Sequence, residues 1–176
     1  MGHTVDYYLA PQSPWTYLGH QRFADMVHRT GSVVRIRPMD LGKVFPVSGG
    51  LPLGQRAPQR QAYRLAELAR YRDHLGVPLN VQPKFFPVAG AVLTACWAQE
   101  RNIADAQVLA QLLQEQGLPA DLLEQSHQSH VQSRYDADTQ AAIDAGVFGS
   151  PSYVIRDEIF WGQDRLDFVE RALAQV

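Results

Sequence analysis

Ser13-Pro14-Trp15-Thr16 sets two hydroxyl side chains three positions apart where an apolar strand gives way to a helix. The strand is Val5-Asp6-Tyr7-Tyr8-Leu9-Ala10. The helix starts near Trp15 and carries Leu18, Phe23, Met26 and Val27 on its apolar side. A helix N-terminus exposes backbone N–H groups, and its aligned peptide dipoles favour negative charge. Two cysteines at this spacing would exchange disulfides, because such a helix end stabilises a thiolate. With Ser13 and Thr16 in those places, the loop cannot do so. It can still stabilise a thiolate that another molecule brings, which points to an enzyme using a thiol cofactor. Read alone, Ser13 is also an ordinary N-cap, with Pro14 at the favoured first helical position.

The elements that must hold this loop are of two kinds. At both ends of the chain, strand and helix alternate. Ser32-Val33-Val34-Arg35-Ile36-Arg37-Pro38-Met39 alternates apolar and basic residues as a strand does, with Pro38 near its end where a ladder donor can be spared. Strand, helix, strand implies a right-handed parallel crossover. Near the C-terminus, Pro151-Ser152-Tyr153-Val154-Ile155 and Ile159-Phe160-Trp161 flank Arg156-Asp157-Glu158 as a hairpin. A final helix from Asp164 places Leu166, Phe168, Val169 and Leu173 on its apolar side. These parts make a small mixed α/β sheet covered by helices.

The middle reads as all-helical. A Gly/Pro-rich loop from Gly42 to Pro58 precedes a helix over Gln59–His74, with Leu65, Leu68, Ala69, Arg72 and Leu75 at helical spacing and Gly76 ending it. Asp105–Gln116 is a second helix and Asp121 begins a third. Asp138 or Thr139 caps a fourth, which ends at Gly146. The expected division is residues 1–41 with 147–176 as the sheet domain, and residues 42–146 as a helical insertion.

Composition narrows the class. The 176 residues suit one domain, or one domain with a large insertion. A net charge of -2 leaves no footprint for nucleic acid or an anionic membrane, and no apolar run approaches a membrane span. Cys96 stands alone, so no disulfide framework is expected and a reducing, cytoplasmic setting is the default. His127 and His130 are three apart, but no Cys, Asp or Glu pattern completes a metal site. Cys96 reads as a small buried hydrophobe.

Four blocks carry a family resemblance: Ser13-Pro14-Trp15-Thr16-Tyr17-Leu18-Gly19, Leu75-Gly76-Val77-Pro78-Leu79, Val147-Phe148-Gly149-Ser150-Pro151 and Phe160-Trp161-Gly162-Gln163-Asp164-Arg165-Leu166. On these residues, in this order, the chain resembles 2-hydroxychromene-2-carboxylate isomerases, within the wider group of kappa-class glutathione transferases and DsbA-like proteins. The resemblance implies a thioredoxin-like fold with an all-helical insertion. Relatives carry a further helical segment of about twenty residues between Pro87-Val88 and Trp97. Either this protein has lost that element, or a stretch is missing from the sequence.

The resemblance also implies a cofactor, glutathione or another low-molecular-weight thiol, and no metal. Ser13 would direct its hydroxyl at the sulfur. Ser150-Pro151 would be a cis bond whose Ser150 backbone pairs with the cysteinyl backbone of glutathione. Gln163 and Asp164, which also read as an N-cap, would meet the γ-glutamyl end, with Asp164 on the α-ammonium. Gln55 is a weaker contact, with Arg56 and Arg60 as basic alternatives. Trp15, Tyr17 and Trp161 are candidates for an aromatic substrate wall, and Lys84 and Lys43 for anchors of a substrate carboxylate. The partners expected are a small aromatic carboxylate and, as among relatives, a second copy of the chain.

The activity implied is conversion of 2-hydroxychromene-2-carboxylate to trans-o-hydroxybenzylidenepyruvate in breakdown of naphthalene-type aromatics. A kappa-like glutathione S-transferase and a non-catalytic thioredoxin-fold module are the alternatives. The missing cysteines argue against a disulfide oxidoreductase.

Overall fold

The computed structural model describes residues 3–83 and 93–174. β1 (Thr4–Leu9) leads through the hydroxyl loop into α1 (Pro14–Thr30), which ends at Gly31 in the left-handed conformation. β2 (Val33–Pro38) returns parallel to β1, with Tyr7 opposite Ile36. On the other side of β1 lies antiparallel β3 (Ser152–Ile155), and β4 (Glu158–Trp161) completes the order β2-β1-β3-β4. The expected hairpin is present. Arg156 and Asp157, at φ 50 and 68, form the two-residue left-handed turn that suits the twist of paired strands.

Between β2 and β3 come α2 (Leu41–Ser48), α3 (Pro58–Leu75), α4 (Leu93–Trp97), α5 (Ala106–Glu115), α6 (Leu122–Gln125) and α7 (Ser129–Asp144). The last helix, α8 (Leu166–Ala174), follows a single 3-10 turn over Gln163–Arg165.

Period-two alternation along β1 and β3 sends side chains to both faces of the sheet. Val5, Tyr7, Tyr153 and Ile155 pack against Phe23 and Met26 of α1 and Leu166, Val169 and Leu173 of α8. The rings of Tyr7 and Tyr153 stack there at 5.2 Å. Tyr8 and Val154 face the other way, onto Val44 of α2 and Ala142 of α7. A third core joins Leu18 of α1 to Leu68, Leu79, Trp97, Ile103 and Leu112. α1 therefore serves the sheet and the helical segment together, with the hydroxyl loop at its head.

Four local expectations are corrected. Gly42–Pro58 is not all loop: Asp40 caps α2 by accepting from the Gly42 N–H at 2.7 Å, and Val44 anchors the helix in the core. Asp138 and Thr139 do not start a helix. They lie buried inside α7, where Asp138 accepts from Arg37 and Arg134 and Thr139 bonds the Asp40 N–H. Asp164 falls in the 3-10 turn and its side chain caps nothing. Phe168 is 48% exposed, leaving Leu166, Val169 and Leu173 as the buried side of α8. Lys84 and the Pro87-Val88 junction lie outside the described residues.

Candidate active site

The head of α1 meets the start of β3. Ser13 caps α1: its backbone is extended, Pro14 follows at the first helical position, and its Oγ accepts from the Thr16 N–H at 3.4 Å. The Ser150-Pro151 bond is cis. Ser13 Oγ donates to the Ser150 carbonyl oxygen at 2.7 Å. The Ser150 Oγ accepts from the Ala10 N–H at 2.8 Å and lies 2.8 Å from Thr16 Oγ1. Ser13, Thr16 and Ser150 are thus one buried hydroxyl cluster joining two distant parts of the chain. The Ser150 carbonyl, read from sequence as open to a ligand, already holds the Ser13 proton.

Below the cluster, Gly162 at φ 104 shapes the next segment, and its N–H donates to the Pro151 carbonyl at 2.9 Å. That φ strains any residue with a Cβ, so this turn requires glycine, and a Cβ there would also push aside Asp164 Oδ1, 2.5 Å away. Gln163 is 1% exposed and its amide oxygen accepts from Arg22 Nη1 at 2.8 Å. Its side chain is therefore committed inward. Asp164 stays at the surface, accepting from Arg165 Nη1 at 2.6 Å.

The aromatic candidates divide into two groups. Trp15 and Tyr17 pack against the helical core, and the Tyr17 hydroxyl donates to the Pro78 carbonyl at 2.7 Å. Tyr71 of α3 meets Trp15 edge-on at 5.7 Å. Burial raises the Tyr71 phenol's pKa, and the negative charges of Asp164 and Glu67 raise it further. On the other side, Trp161 at the end of β4 is 51% exposed and packs edge-on against Phe148 at 4.9 Å, over Gly149.

Sequence reading missed Tyr71 and Phe148. Phe148 lies within one of the four blocks and Tyr71 just before another, but only the fold shows that Tyr71 touches Trp15 and Phe148 touches Trp161. The other candidates do not join the cluster. Gln55 is exposed on a 3-10 turn over Leu53–Gln55, with no described hydrogen bond to the loop. Arg56 donates to the Leu51 carbonyl, and Lys43 pairs with Asp136 at 2.7 Å. No described hydrogen bond ties Arg60 to the cluster either. Among the described residues, no group of three His, Cys, Asp or Glu side chains could hold a metal, and no helix is long and apolar enough to cross a membrane.

The fold agrees with what the chain matches. The DSBA-like thioredoxin domain matches residues 4–174. A 2-hydroxychromene-2-carboxylate isomerase of Sphingobium xenophagum is 30% identical over 194 aligned positions, covering 98% of this chain and 99% of that one. The alignment is longer than this chain of 176 residues, so the relative carries residues that have no counterpart here. A solved 2-hydroxychromene-2-carboxylate isomerase superposes with a TM-score of 0.81 at 26% identity, over 98% of this chain and 95% of the other. A probable DsbA oxidoreductase of Streptomyces coelicolor shares the fold, with a TM-score of 0.74 at 17% identity over 98% and 89% of the two chains. The chain belongs to the DSBA-like thioredoxin-domain family, among the 2-hydroxychromene-2-carboxylate isomerases.

Proposed function

We propose that this protein is a cytoplasmic glutathione-dependent isomerase that interconverts 2-hydroxychromene-2-carboxylate and trans-o-hydroxybenzylidenepyruvate in aromatic degradation. The observation that carries the reading is the buried Ser13–Thr16–Ser150 cluster at the head of α1, in a chain whose relatives are named isomerases. It fits a thiolate: hydroxyl donors stand at a helix N-terminus, where negative charge is favoured, and no cysteine is there to form a disulfide. Gln12, beside Ser13, also has a buried amide oxygen without a described partner, an acceptor suited to a peptide N–H. Bound glutathione would supply a nucleophile that adds reversibly to the conjugated alkene, allowing rotation with no net oxidation.

The chain's own residues hold and orient that cofactor. Ser13 Oγ turns its proton from the Ser150 carbonyl to the sulfur. The carbonyl is then open to a peptide N–H laid alongside in strand fashion. The Asp164 carboxylate holds an ammonium, while the N–H groups opening the last helical segment face a carboxylate. Trp161 and Phe148 offer an aromatic ring an exposed wall beside the Ser150 segment.

Calorimetric titration with glutathione on wild type and Ser13→Ala, with thiolate absorbance followed against pH, tests the reading. Wild type should bind with the thiol pKa well below its free value, and Ser13→Ala should raise it, each unit being about 1.4 kcal/mol. Product analysis then separates isomerisation from release of a glutathione conjugate. Absence of thiol binding would leave a non-catalytic module.

A further inference from the structure

The three hydroxyls of the cluster hold more hydrogens than the described structure gives acceptors. Each hydroxyl has one hydrogen and two lone pairs. Ser13 spends its hydrogen on the Ser150 carbonyl. Only one hydrogen can lie in the 2.8 Å contact between Thr16 Oγ1 and Ser150 Oγ. One member of that pair therefore keeps a hydrogen with no acceptor among the described hydrogen bonds.

Burial decides which member keeps it. Thr16 is 0% exposed, so a hydrogen stranded on it would be an unmet donor in the interior. Ser150, like Ser13, keeps 7% of its surface. The arrangement that spares the fully buried Thr16 has it donating to Ser150 Oγ, which also accepts from the Ala10 N–H. The hydrogen of Ser150 is then the one left for an acceptor that the described residues do not supply. A hydroxyl that accepts two hydrogen bonds is polarised into a stronger donor.

We infer that the Ser150 side chain is a second hydroxyl donor to the cofactor sulfur, aimed by Thr16 and the Ala10 N–H. The inference rests on the thiol-cofactor reading. Ser13 and Ser150 then hold the sulfur anion from the ends of two different segments, and each donor lowers the thiol pKa in its own right. Thr16 never touches the ligand and is a positioning residue.

The test follows thiolate absorbance against pH for glutathione bound to wild type, Ser150→Ala, Thr16→Val and Thr16→Ser. Ser150→Ala should still bind glutathione but raise the bound thiol pKa by about one unit, a tenfold loss of thiolate below that pKa. Thr16→Val should move it the same way by less, and Thr16→Ser should restore it. Combined Ser13→Ala and Ser150→Ala should bring the pKa close to its free value. Normal binding with an unchanged pKa in Ser150→Ala overturns the second donor and leaves the function reading intact. Wild type that binds no glutathione overturns both. Should Ser150→Ala fail to fold, equal pKa values in Thr16→Val and Thr16→Ser overturn the inference instead.

Discussion

Arg22 Nη1 donates to the amide oxygen of Gln163 at 2.8 Å, tying the middle of α1 to the turn that presents Asp164. One turn earlier on α1, Gly19 lets the two backbones close on each other. A Cβ there would stand 2.7 Å from Gln163 Cβ and 3.3 Å from its Cα. Because part of the obstacle is backbone, the turn itself must move. Gly19→Ala should cost about 1–3 kcal/mol through overpacking. Urea unfolding measures the loss, and glutathione affinity should fall with it as Asp164 shifts.

Arg37 lies between two carboxylates, Asp6 at 2.6 Å and Asp138 at 2.5 Å. Hydrogen bonds to both keep its guanidinium pKa above the ordinary value, Asp6 contributing more, against the cost of burial. The Asp138 side chain is 4% exposed and fastens α7 to β2. Asp138→Ala should destabilise by about 3 kcal/mol, because it leaves a partly buried cation short of a partner. Arg37→Met in the same background should recover part of the loss, and denaturation of the single and double variants reads the coupling.

Burial pushes the Cys96 thiol up to about 11. The folded chain then binds this proton more tightly than the unfolded one. The associated stability is whole below the thiol's ordinary range and drains as pH rises toward 11. The unfolding midpoint of wild type should fall more steeply between about pH 9 and 11 than that of Cys96→Ala. The comparison matters because Tyr7 and Tyr153, also shifted upward by burial, contribute equally to both proteins. A thiol reagent at pH 8 should react with Cys96 only on unfolding.

Trp161 gives a prediction that separates substrate from cofactor. Its side chain is half exposed, so Trp161→Ala should cost about 1 kcal/mol, chiefly the contact with Phe148. KM for the aromatic substrate should rise several-fold while glutathione affinity holds. Gly149→Ala would place a methyl group 2.3 Å from Trp161 Nε1 and drive the indole off its seat. It should reproduce the KM effect together with a change in tryptophan emission. An unaltered KM in both variants would remove the aromatic wall from the site.

The parts of the fold legible in sequence were those governed by local pattern. β1, β2, the hairpin, α1 and α3 follow alternation, helical spacing and the glycines that stop them. The failures share one cause. Asp138 and Thr139 look like cap residues because their side chains seek backbone partners. In the structure Asp138 pairs with arginines of β2 and α7, while Thr139 reaches the Asp40 N–H and the Tyr135 carbonyl, so α7 runs straight through both. Gly42 and Pro46 suggest a loop, yet the Asp40 cap and the buried Val44 hold a helix around them.

The site divides the same way. Ser13 and Ser150 were visible as motif residues. The inward turn of Gln163 toward Arg22 and the commitment of the Ser150 carbonyl to Ser13 were not, because each depends on residues more than a hundred positions away.

Ser13 and Ser150 are separated by 137 positions, and β3, which Ser150 precedes, completes the pairing of β1. A chain growing on the ribosome therefore exposes Ser13 early and cannot close the cluster until its last strands emerge. Until then β1 has β2 on one side and an open row of backbone donors and acceptors on the other. An unpaired strand edge of this kind is a template for aggregation while the chain is incomplete. On the proposed thiol-cofactor reading, the site that would hold the sulfur closes only once the segment leading into β3 has joined β1.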